Sequence, residues 1–260
     1  MSGVVLSLFP GLDLLGEGFR KAGFTVLRGP DLIWGQDLRD FDERPLRAMH
    51  FDGIIAGVPC QAFSKAACRK NHENYWPLFS RIVDTVKPRW ALAECVPEAE
   101  SQVPEGFEHR VMNFRSLGSA QARWRLIAQR GLPGLYARLN RPCPDSEGLQ
   151  IRHENGYPSW KERAFYRTVI GNGEIIRNSG SGEPARCLTD AELLDAFDLP
   201  ADYLDRLTAT NPRFSRSSIR RLITQGVPMA AAYSLAMAVR HGKGAQFSEW
   251  LSQTQTEEPF

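Results

Sequence analysis

Short apolar runs alternate with amphipathic stretches along the first half of the chain. Val4 to Phe9 is a β-rich run that ends at a Pro-Gly turn, and Leu12 to Gly23 then carries apolar residues at helical spacing. Gly23 suits the position just after the last helical residue. A second apolar run, Phe24 to Leu27, follows directly. The N-terminal pattern therefore predicts a strand, a helix and a second strand.

The same alternation continues toward the middle of the chain. Further predicted elements are a buried strand at Phe51 to Ala56, a helix at Asn74 to Lys87 that Pro88 ends, and strands at Trp90 to Ala93 and Arg125 to Ala128. Strands that alternate with helices predict a Rossmann-like, doubly wound α/β sheet. Such a sheet binds its ligands beyond the carboxyl ends of its strands, so we expect the functional residues there.

The regular pattern weakens after residue 130. Between Leu132 and Ala185 the chain is rich in Gly, Pro and Ser and has little periodicity, and helical patterns return near Leu188 and from Met229 to Val239. We interpret this as a main α/β domain (1–130 and 186–245), a small irregular insertion (131–185) and a polar C-terminal tail (246–260).

Charge is distributed unevenly, although the net charge is only +2. From His109 to Pro144 there are seven arginines and no acidic residue, and from Arg206 to Arg221 there are five more without an acid. The acids concentrate elsewhere, for example in residues 37–43 and 190–205. Segregated arginine favours a phosphate-binding face, and a solvated basic surface is the alternative.

Cysteine usage and hydropathy indicate the cellular setting. The five cysteines show neither CxxC nor Cys/His ligand spacing, so we expect no metal site and a reducing, cytoplasmic environment. No apolar run approaches the length of a membrane span, and no basic segment precedes the first strand as in a signal peptide. We expect a cytoplasmic monomer that does not bind membranes.

Cys60 is the candidate nucleophile. It follows a buried strand on a loop that Pro59 stiffens, and such a thiol needs nearby positive charge or a helix N-terminus to lower its pKa. A small core residue is the alternative interpretation of Cys60. The other cysteines outside this motif, Cys68, Cys143 and Cys187, carry only that alternative interpretation.

Two further groups of polar residues are candidates for catalysis. Glu94 follows an apolar strand, and a partly desolvated carboxyl at that edge could act as an acid near neutral pH. Gln121, Arg123 and Arg125 lie on one side of an extended segment and suit contacts to an anion or a base edge. An ordinary strand-end carboxylate and a solvent-exposed strand face are the respective alternatives.

A strand, a glycine turn and a helix at the N-terminus could hold an adenosyl cofactor at the helix N-terminus. Acids near the next strand ends could bind ribose hydroxyls or the adenine amino group, or could be turn residues, and Trp34 could cover the adenine. The candidate cofactor-binding residues are Phe9, Pro10, Gly11, Leu12, Asp31, Asp37, Leu38 and Pro59.

In motif order, the sequence resembles the cytosine-5 DNA methyltransferases across nearly the whole chain, as a compact, phage- or prophage-type member. The matching segments are Phe9-Pro-Gly11, the nucleophile motif Gly57-Val-Pro-Cys-Gln-Ala-Phe-Ser64, Glu94-Cys95-Val96, Gln121-x-Arg123-x-Arg125, Arg186-x-Leu-Thr189 with Glu192, Phe197, Pro200 and Tyr203, and Gln225-Gly-Val-Pro228. The nucleophile motif is the most specific of these. Six motifs in the family's order make a chance match very improbable.

This resemblance implies a restriction–modification type enzyme that uses S-adenosylmethionine and acts on double-stranded DNA. It implies that 131–185 is a target-recognition region and that Arg123 helps to hold the cytosine and the thiolate. Three departures from the family's pattern are visible: Cys95 replaces an asparagine, the final motif lacks a Gly-Asn pair, and the helix that usually links the strands near Asp31 and Asp37 is missing. An RNA (tRNA) cytosine-5 methyltransferase, a non-catalytic DNA-binding homologue and an unrelated Rossmann-type enzyme are the competing hypotheses.

Overall fold

The computed structural model describes residues 3–63, 72–139, 166–167, 169, 174–175 and 186–241. The strands are β1 (Val4–Leu8), β2 (Thr25–Arg28), β3 (Gly53–Gly57), β4 (Trp90–Cys95), β5 (Glu108–Asn113), β6 (Gln121–Ala122), β7 (Trp124–Arg130), β8 (Tyr166–Arg167), β9 (Glu174–Ile175) and β10 (Arg186–Cys187). The α-helices are α1 (Leu14–Lys21), α2 (Trp76–Val86), α3 (Leu135–Leu139), α4 (Asp190–Ala196), α5 (Tyr203–Thr210), α6 (Arg216–Gln225) and α7 (Met229–His241).

The central sheet has six strands in the order β2-β1-β3-β4-β7-β5. Strands β1 to β4 are mutually parallel, and β7 runs antiparallel to both β4 and β5. After β2 the chain returns to the other side of β1, so the strand order reverses between β1 and β3. A crevice forms at the carboxyl ends of strands at such a point. The predicted Rossmann-like α/β fold is confirmed.

Successive residues of each strand pack on opposite faces of the sheet, as the pleat of a β-strand requires. Leu6 and Ile54 belong to the apolar cluster that α2 covers, whereas Val5 and Ile55 belong to the cluster beneath α1 and α7. Helices α1 and α7 approach closely at Gly18, where an added Cβ would lie 2.5 Å from the Cβ of Ala232. The sheet is therefore the middle of three layers.

Helices α4 to α6 build a third apolar cluster at the carboxyl edge of the sheet. Their buried residues Phe197, Leu204 and Ile219 pack with Leu14 of α1 and with Val169. Helix α4 begins with a reciprocal capping box, in which the Thr189 hydroxyl accepts a hydrogen bond from the N–H of Glu192 and the Glu192 carboxylate accepts from the N–H of Thr189. The C-terminal helices thus lie against the turn that follows β1.

The structure tests two predictions about chain organisation, of which one is confirmed and one is partly wrong. Between β2 and β3 the chain forms only short 3-10 turns, at Leu32–Trp34, Leu38–Asp40 and Arg44–Met49, so the absence of a linking α-helix there is confirmed. The prediction of irregular structure from Leu132 onward is wrong for the first residues, because α3 is helical and Leu135 and Leu139 are buried beneath α7. The described start of the predicted insertion is therefore part of the core.

Other predictions fall on residues outside the described ranges: most of the insertion from 140 to 185, the tail 246–260, Cys68, Cys143 and Ser64 of the nucleophile motif. Within the described ranges no single helix is long and apolar enough to cross a membrane, and the bent pair α6 and α7 passes only when the two are taken together. The same ranges contain no group of three or more His, Cys, Asp or Glu side chains arranged to hold a metal ion.

Candidate active site

Cys60 lies three residues after β3, on a loop that is tied to the neighbouring strand. The N–H of Val58 donates to the main-chain oxygen of Glu94 at 3.0 Å, and the N–H of Phe63 closes a turn onto the main-chain oxygen of Cys60 at 2.9 Å. The Cys60 side chain is half-buried and packs at the edge of the apolar cluster under α2. The loop therefore presents the sulfur at the carboxyl edge of the sheet.

Burial raises the pKa of the Cys60 thiol, and the charge of Glu94 raises it further. The guanidinium groups of Arg125 and Arg123 act in the opposite direction and lower the pKa, by less. The sequence predicted that positive charge would lower this pKa. The charge is present, but desolvation of the thiolate outweighs its effect on the pKa. These surroundings therefore favour the thiol form of Cys60 over the thiolate.

Glu94 occupies the end of β4, directly opposite Gly57 at the end of β3. Its carboxylate oxygen Oε1 lies 2.9 Å from Nε of Arg125, and both side chains are nearly buried, with exposures of 9% and 11%. Arg125 also donates to the main-chain oxygen of Trp124 at 2.6 Å, which fixes the other end of its guanidinium. The structure thus brings a thiol, a carboxylate and a guanidinium together at adjacent strand ends.

Cys95 supplies a contact at the position where the family carries asparagine. Its buried thiol donates to the main-chain oxygen of Val58 at 3.5 Å, two residues before the nucleophile. Burial raises the pKa of Cys95, so it remains an uncharged S–H donor. A weak hydrogen bond to the nucleophile loop is therefore present despite the substitution.

Gln121 and Arg123 are placed differently from Arg125, although the sequence grouped all three. Both are buried, with exposures of 0% and 3%. Their polar atoms bond to the main chain of Val169 and of the C-terminal helices. In the described residues, Nε of Arg123 is one of two buried side-chain N or O atoms without a hydrogen-bond partner. Arg125 is therefore the member of this motif that meets Glu94.

The turn after β1 offers room for a ligand. Gly11 has a φ of +54°, and a Cβ added there would meet no atom of the described residues within 4 Å. Its N–H donates to Oδ2 of Asp31 at 2.9 Å, and its oxygen accepts from Nε1 of Trp34 at 3.0 Å. The segment around Asp31 therefore holds the Gly11 peptide in place, and the space beside its Cα is open.

The remaining predicted cofactor residues are spread out. Phe9 contacts Tyr75 edge-on, with ring centroids 5.5 Å apart. Asp37 pairs with Arg39 on the surface, and the hydrogen bond from that guanidinium lowers the pKa of the carboxyl. Leu38 is buried in the apolar cluster under α2. Trp34 is occupied from one side, because the guanidinium of Arg213 lies 4.9 Å from its ring centroid. The contacts thus group Gly11 with Asp31 and leave Asp37 apart.

Asp13 is a buried carboxylate that the sequence pattern did not reveal. Its Oδ1 accepts from the Ser7 hydroxyl at 2.7 Å, and its Oδ2 accepts from Nε of Arg28 at 3.1 Å and from Arg20. Arg28 also donates to the main-chain oxygen of Leu12 at 3.1 Å. Asp13 precedes α1 and looks like an ordinary N-cap, yet its side chain makes no capping bond. It instead fixes the turn that carries Gly11.

Internal ion pairs involve several of the arginines that are segregated in the sequence. Arg130 pairs with Asp84 at 2.9 Å. Arg216 pairs with Asp190 at 2.6 Å and with Asp205 at 2.5 Å. Acids and bases that are separated along the chain are thus neighbours in space, so the sequence pattern overstated the extent of a free basic face.

Comparison with known proteins locates the family resemblance. Residues 33–128 match the family described as C-5 cytosine-specific DNA methylase. The Type II methyltransferase M.Bpa9945I of Bacillus paralicheniformis is 28% identical over 162 residues, which cover 50% of this chain and 34% of the relative. The Type II methyltransferase M.NgoPII of Neisseria gonorrhoeae is 34% identical over 111 residues, which cover 35% of this chain and 33% of the relative. The chain thus spans about a third of the length of these curated relatives.

The fold has counterparts among solved structures. The crystal structure of the S. pombe Dnmt2 methyltransferase superposes with a TM-score of 0.58 at 11% identity, and the match covers 92% of this chain and 98% of the other. Identity this low supports the fold alone. The resemblance that the motifs predicted is confirmed over residues 33–128, which match the family described as C-5 cytosine-specific DNA methylase, and the fold is a Rossmann-like α/β sheet.

Proposed function

We propose that this protein transfers a methyl group from S-adenosylmethionine to carbon 5 of a cytosine in double-stranded DNA, through a covalent bond to Cys60. The observation that carries the proposal is that the Cys60 loop lies beside the Glu94–Arg125 ion pair. The loop is hydrogen-bonded to the main chain of Glu94, and Oε1 of Glu94 lies 2.9 Å from Nε of Arg125. The region that matches the DNA methylase family contains all three residues. The Type II methyltransferase relatives favour DNA as the substrate.

The chemistry answers a specific difficulty, which is that carbon 5 of cytosine is a poor nucleophile. The Cys60 thiolate adds to carbon 6, and Glu94 in its protonated form stabilises that addition by donating a hydrogen bond, or its proton, to ring nitrogen 3. Carbon 5 then has enamine character and forms the new carbon–carbon bond. Bound S-adenosylmethionine supplies the methyl group as an electrophile. Loss of the proton from carbon 5 expels the Cys60 thiolate and restores the aromatic ring.

Activation of Cys60 follows from the electrostatics of the same cluster. The charge of Glu94 opposes the thiolate, whereas Arg125 favours it. When Glu94 takes up the proton that it shares with ring nitrogen 3, its opposing charge is neutralised and the guanidinium influence prevails. The arrangement therefore links formation of the reactive thiolate to the presence of substrate, and keeps the thiol unreactive before that.

The cofactor would be held at the turn after β1. Gly11 offers open space, and Asp31 retains lone pairs on a carboxylate that already bonds to the Gly11 N–H. Phe9 directly precedes this turn, whereas Asp37 pairs with Arg39 and lies apart from it. Pro59 would close the other side, since it lies at the end of β3, the strand beside β1. We place this binding event in the cytoplasm, where a monomeric enzyme meets bacterial or phage DNA.

DNA must deform for the reaction to occur. Carbon 6 of a stacked cytosine cannot be reached by a thiol, so the base is flipped out of the duplex at a cost of about a few kcal/mol. Basic side chains offset that cost by neutralising phosphates, so binding weakens as salt rises. Several arginines form internal ion pairs. We therefore expect DNA affinity to fall with salt concentration less steeply than the number of arginines alone would predict.

Bisulfite sequencing of DNA from cells that express the chain tests the proposal and identifies the target sequence. Purified protein should then methylate a duplex with that site and form a covalent complex with its 5-fluorocytosine analogue. Cys60→Ser should abolish both, and Cys187→Ser, at a cysteine outside the nucleophile motif, is the control. Normal turnover by Cys60→Ser would refute the covalent mechanism.

Two competing hypotheses have distinct outcomes in the same assays. Labelled methyl transfer to tRNA but not to duplex DNA would show an RNA enzyme. DNA binding without either methylation or trapping would show a non-catalytic homologue. Methylation of duplex DNA together with trapping excludes both.

A further inference from the structure

Gln121 and Arg123 both form hydrogen bonds with the main chain of Val169. Oε1 of Gln121 accepts a hydrogen bond from the N–H of Val169 at 2.9 Å, and Nη1 of Arg123 donates to the oxygen of Val169 at 2.9 Å. Two side chains thus satisfy both main-chain groups of one buried residue, as a neighbouring strand would. The adjacent strands β6 and β8 pair in parallel, with Gln121 opposite Tyr166. Val169 and β8 lie within 131–185, the expected target-recognition region.

The same two side chains also reach the C-terminal helices. Nε2 of Gln121 donates to the oxygen of Ala196 at the end of α4, at 3.1 Å. Nη2 of Arg123 donates to the oxygen of Thr224 in α6, at 3.1 Å. Arg123 further donates to Oε1 of Gln121 at 3.2 Å, so the pair acts as one unit. Three parts of the molecule therefore meet at these two side chains: the sheet, the insertion and the C-terminal helices.

This junction is only two residues from the Glu94–Arg125 pair. The main chain at Arg123 is held by the N–H of Phe114, which donates to its oxygen at 2.9 Å. Strand β7 then begins at Trp124, and Arg125 meets Glu94 at 2.9 Å. A shift of Val169 is thus passed along a short, fixed segment to the Glu94–Arg125 pair.

We infer that Gln121 and Arg123 are positioning residues that dock the target-recognition region beside the cleft through Val169, and so set affinity and sequence preference for DNA. This inference rests on the proposed DNA methyltransferase function. The inference gives the three polar residues of the motif two different roles. Arg125 contacts the reacting base, and Gln121 and Arg123 position the target-recognition region.

Gln121→Leu tests the inference without altering any charge near Cys60. Loss of its three hydrogen bonds should raise the KM for the target duplex by about tenfold or more. The single-turnover rate constant at saturating DNA should stay within about threefold of wild type, as expected when binding rather than chemistry is lost. Bisulfite profiles should show methylation spreading to related sites.

Gln129→Leu is the matched control. Gln129 is equally buried on β7 and likewise donates one hydrogen bond and accepts another, to Glu108 at 2.8 Å and from Leu132 at 2.8 Å, but it contacts neither Val169 nor the C-terminal helices in the described structure. It should lower thermal stability as Gln121→Leu does and leave the KM for DNA unchanged. An equal rise in KM for both variants would reduce the effect to stability and overturn the inference.

Arg123→Lys tests the other member of the pair. A lysine cannot bond Val169, Thr224 and Gln121 together, because it lacks the forked guanidinium. We expect a raised KM for DNA, as for Gln121→Leu. A slowed single-turnover rate with normal KM in both Gln121→Leu and Arg123→Lys would assign the pair to chemistry instead.

A third variant covers the case in which Gln121→Leu fails to fold. Gln121→Glu keeps the acceptor for Val169 and loses the donor to Ala196, so its KM for DNA should rise less than that of Arg123→Lys. An equal or larger rise in KM would overturn the inference that the bonds to Val169 carry the docking. Absence of DNA methylation by the wild-type protein would instead defeat the proposed function.

Discussion

Moving a carboxylate from position 13 to position 16 should largely preserve the protein, whereas either single change should damage it. Asp13 has a left-handed backbone conformation, with φ at 64°, which glycine adopts without strain. Gly16 is glycine because a Cβ there would lie 2.3 Å from Oδ1 of Asp13. The space that Gly16 leaves empty is thus filled by the Asp13 carboxylate.

The two single variants have separable costs. Asp13→Gly relieves about 1 kcal/mol of backbone strain. It also removes a buried partner of Ser7, Arg20 and Arg28, which costs about 3 kcal/mol, toward the lower end for a broken buried pair because both arginines can reach water. The net loss is about 2 kcal/mol. Gly16→Asp forces a Cβ and a second carboxylate onto the first, and costs about 3 kcal/mol or more.

The double variant Asp13→Gly with Gly16→Asp puts a carboxylate back into the vacated space near Ser7 and Arg28. Its free energy of unfolding should lie within about 1 kcal/mol of wild type, which gives a favourable coupling of about 4 kcal/mol or more between the sites. Urea unfolding of the four proteins measures this coupling. S-adenosylmethionine binding by calorimetry should follow the same order, since Arg28 fixes the Leu12 oxygen beside Gly11. Additive effects, with coupling near zero, would refute the reasoning.

Glu94→Gln should slow single-turnover methyl transfer by orders of magnitude with little change in DNA affinity. Because the charge of Glu94 raises the pKa of Cys60, the same variant should be alkylated faster by iodoacetamide at neutral pH, and a slower alkylation would contradict this electrostatic account. Cys95→Ala should slow single-turnover methyl transfer about two- to tenfold, the worth of one weak hydrogen bond to Val58, whereas Cys95→Asn should match or exceed wild type; equal rates for all three would show that other contacts hold the loop. Burial raises the pKa of Asp198 from 3.8 to about 7, so the folded state holds this proton more tightly than the unfolded chain. The stability it contributes is complete below about pH 4 and is lost as pH rises through about 7, so urea unfolding should show Asp198→Asn losing about 3 kcal/mol less than wild type between about pH 5 and about pH 8. Parallel pH dependence of the two proteins would contradict it.

Local pattern was sufficient for the strands that end at the crevice. The runs that became β1, β3 and β4 are short and apolar because both faces of a central parallel strand are buried. The breaks after them, at Pro10-Gly11 and at Pro59, are local backbone signals as well. The residues that follow these strands were therefore expected at one edge, and the described structure groups Cys60 with Glu94 there.

The spacing of the Gln-x-Arg-x-Arg motif did not reveal which partner each of its side chains contacts. Gln121, Arg123 and Arg125 share a face of an extended segment in sequence, and the structure gives Arg125 to Glu94 and the other two to Val169 and the C-terminal helices. That division depends on what lies opposite each side chain, and those partners are 31 to 101 residues away in the chain. Spacing along one segment carries no information about them.

The sequence by itself determined the α/β class, the order of strands and helices from β1 to β4, and the residues at the ends of β1, β3 and β4, because hydrophobic periodicity and turn chemistry are properties of neighbours along the chain. The edge strand β5 was not predicted. Only the tertiary structure decided that Asp13 is a buried carboxylate, that the pKa of Cys60 is raised, and that Arg216 neutralises acids from the preceding helices. These outcomes depend on desolvation and on pairing between distant segments. Both arise only when the chain has folded.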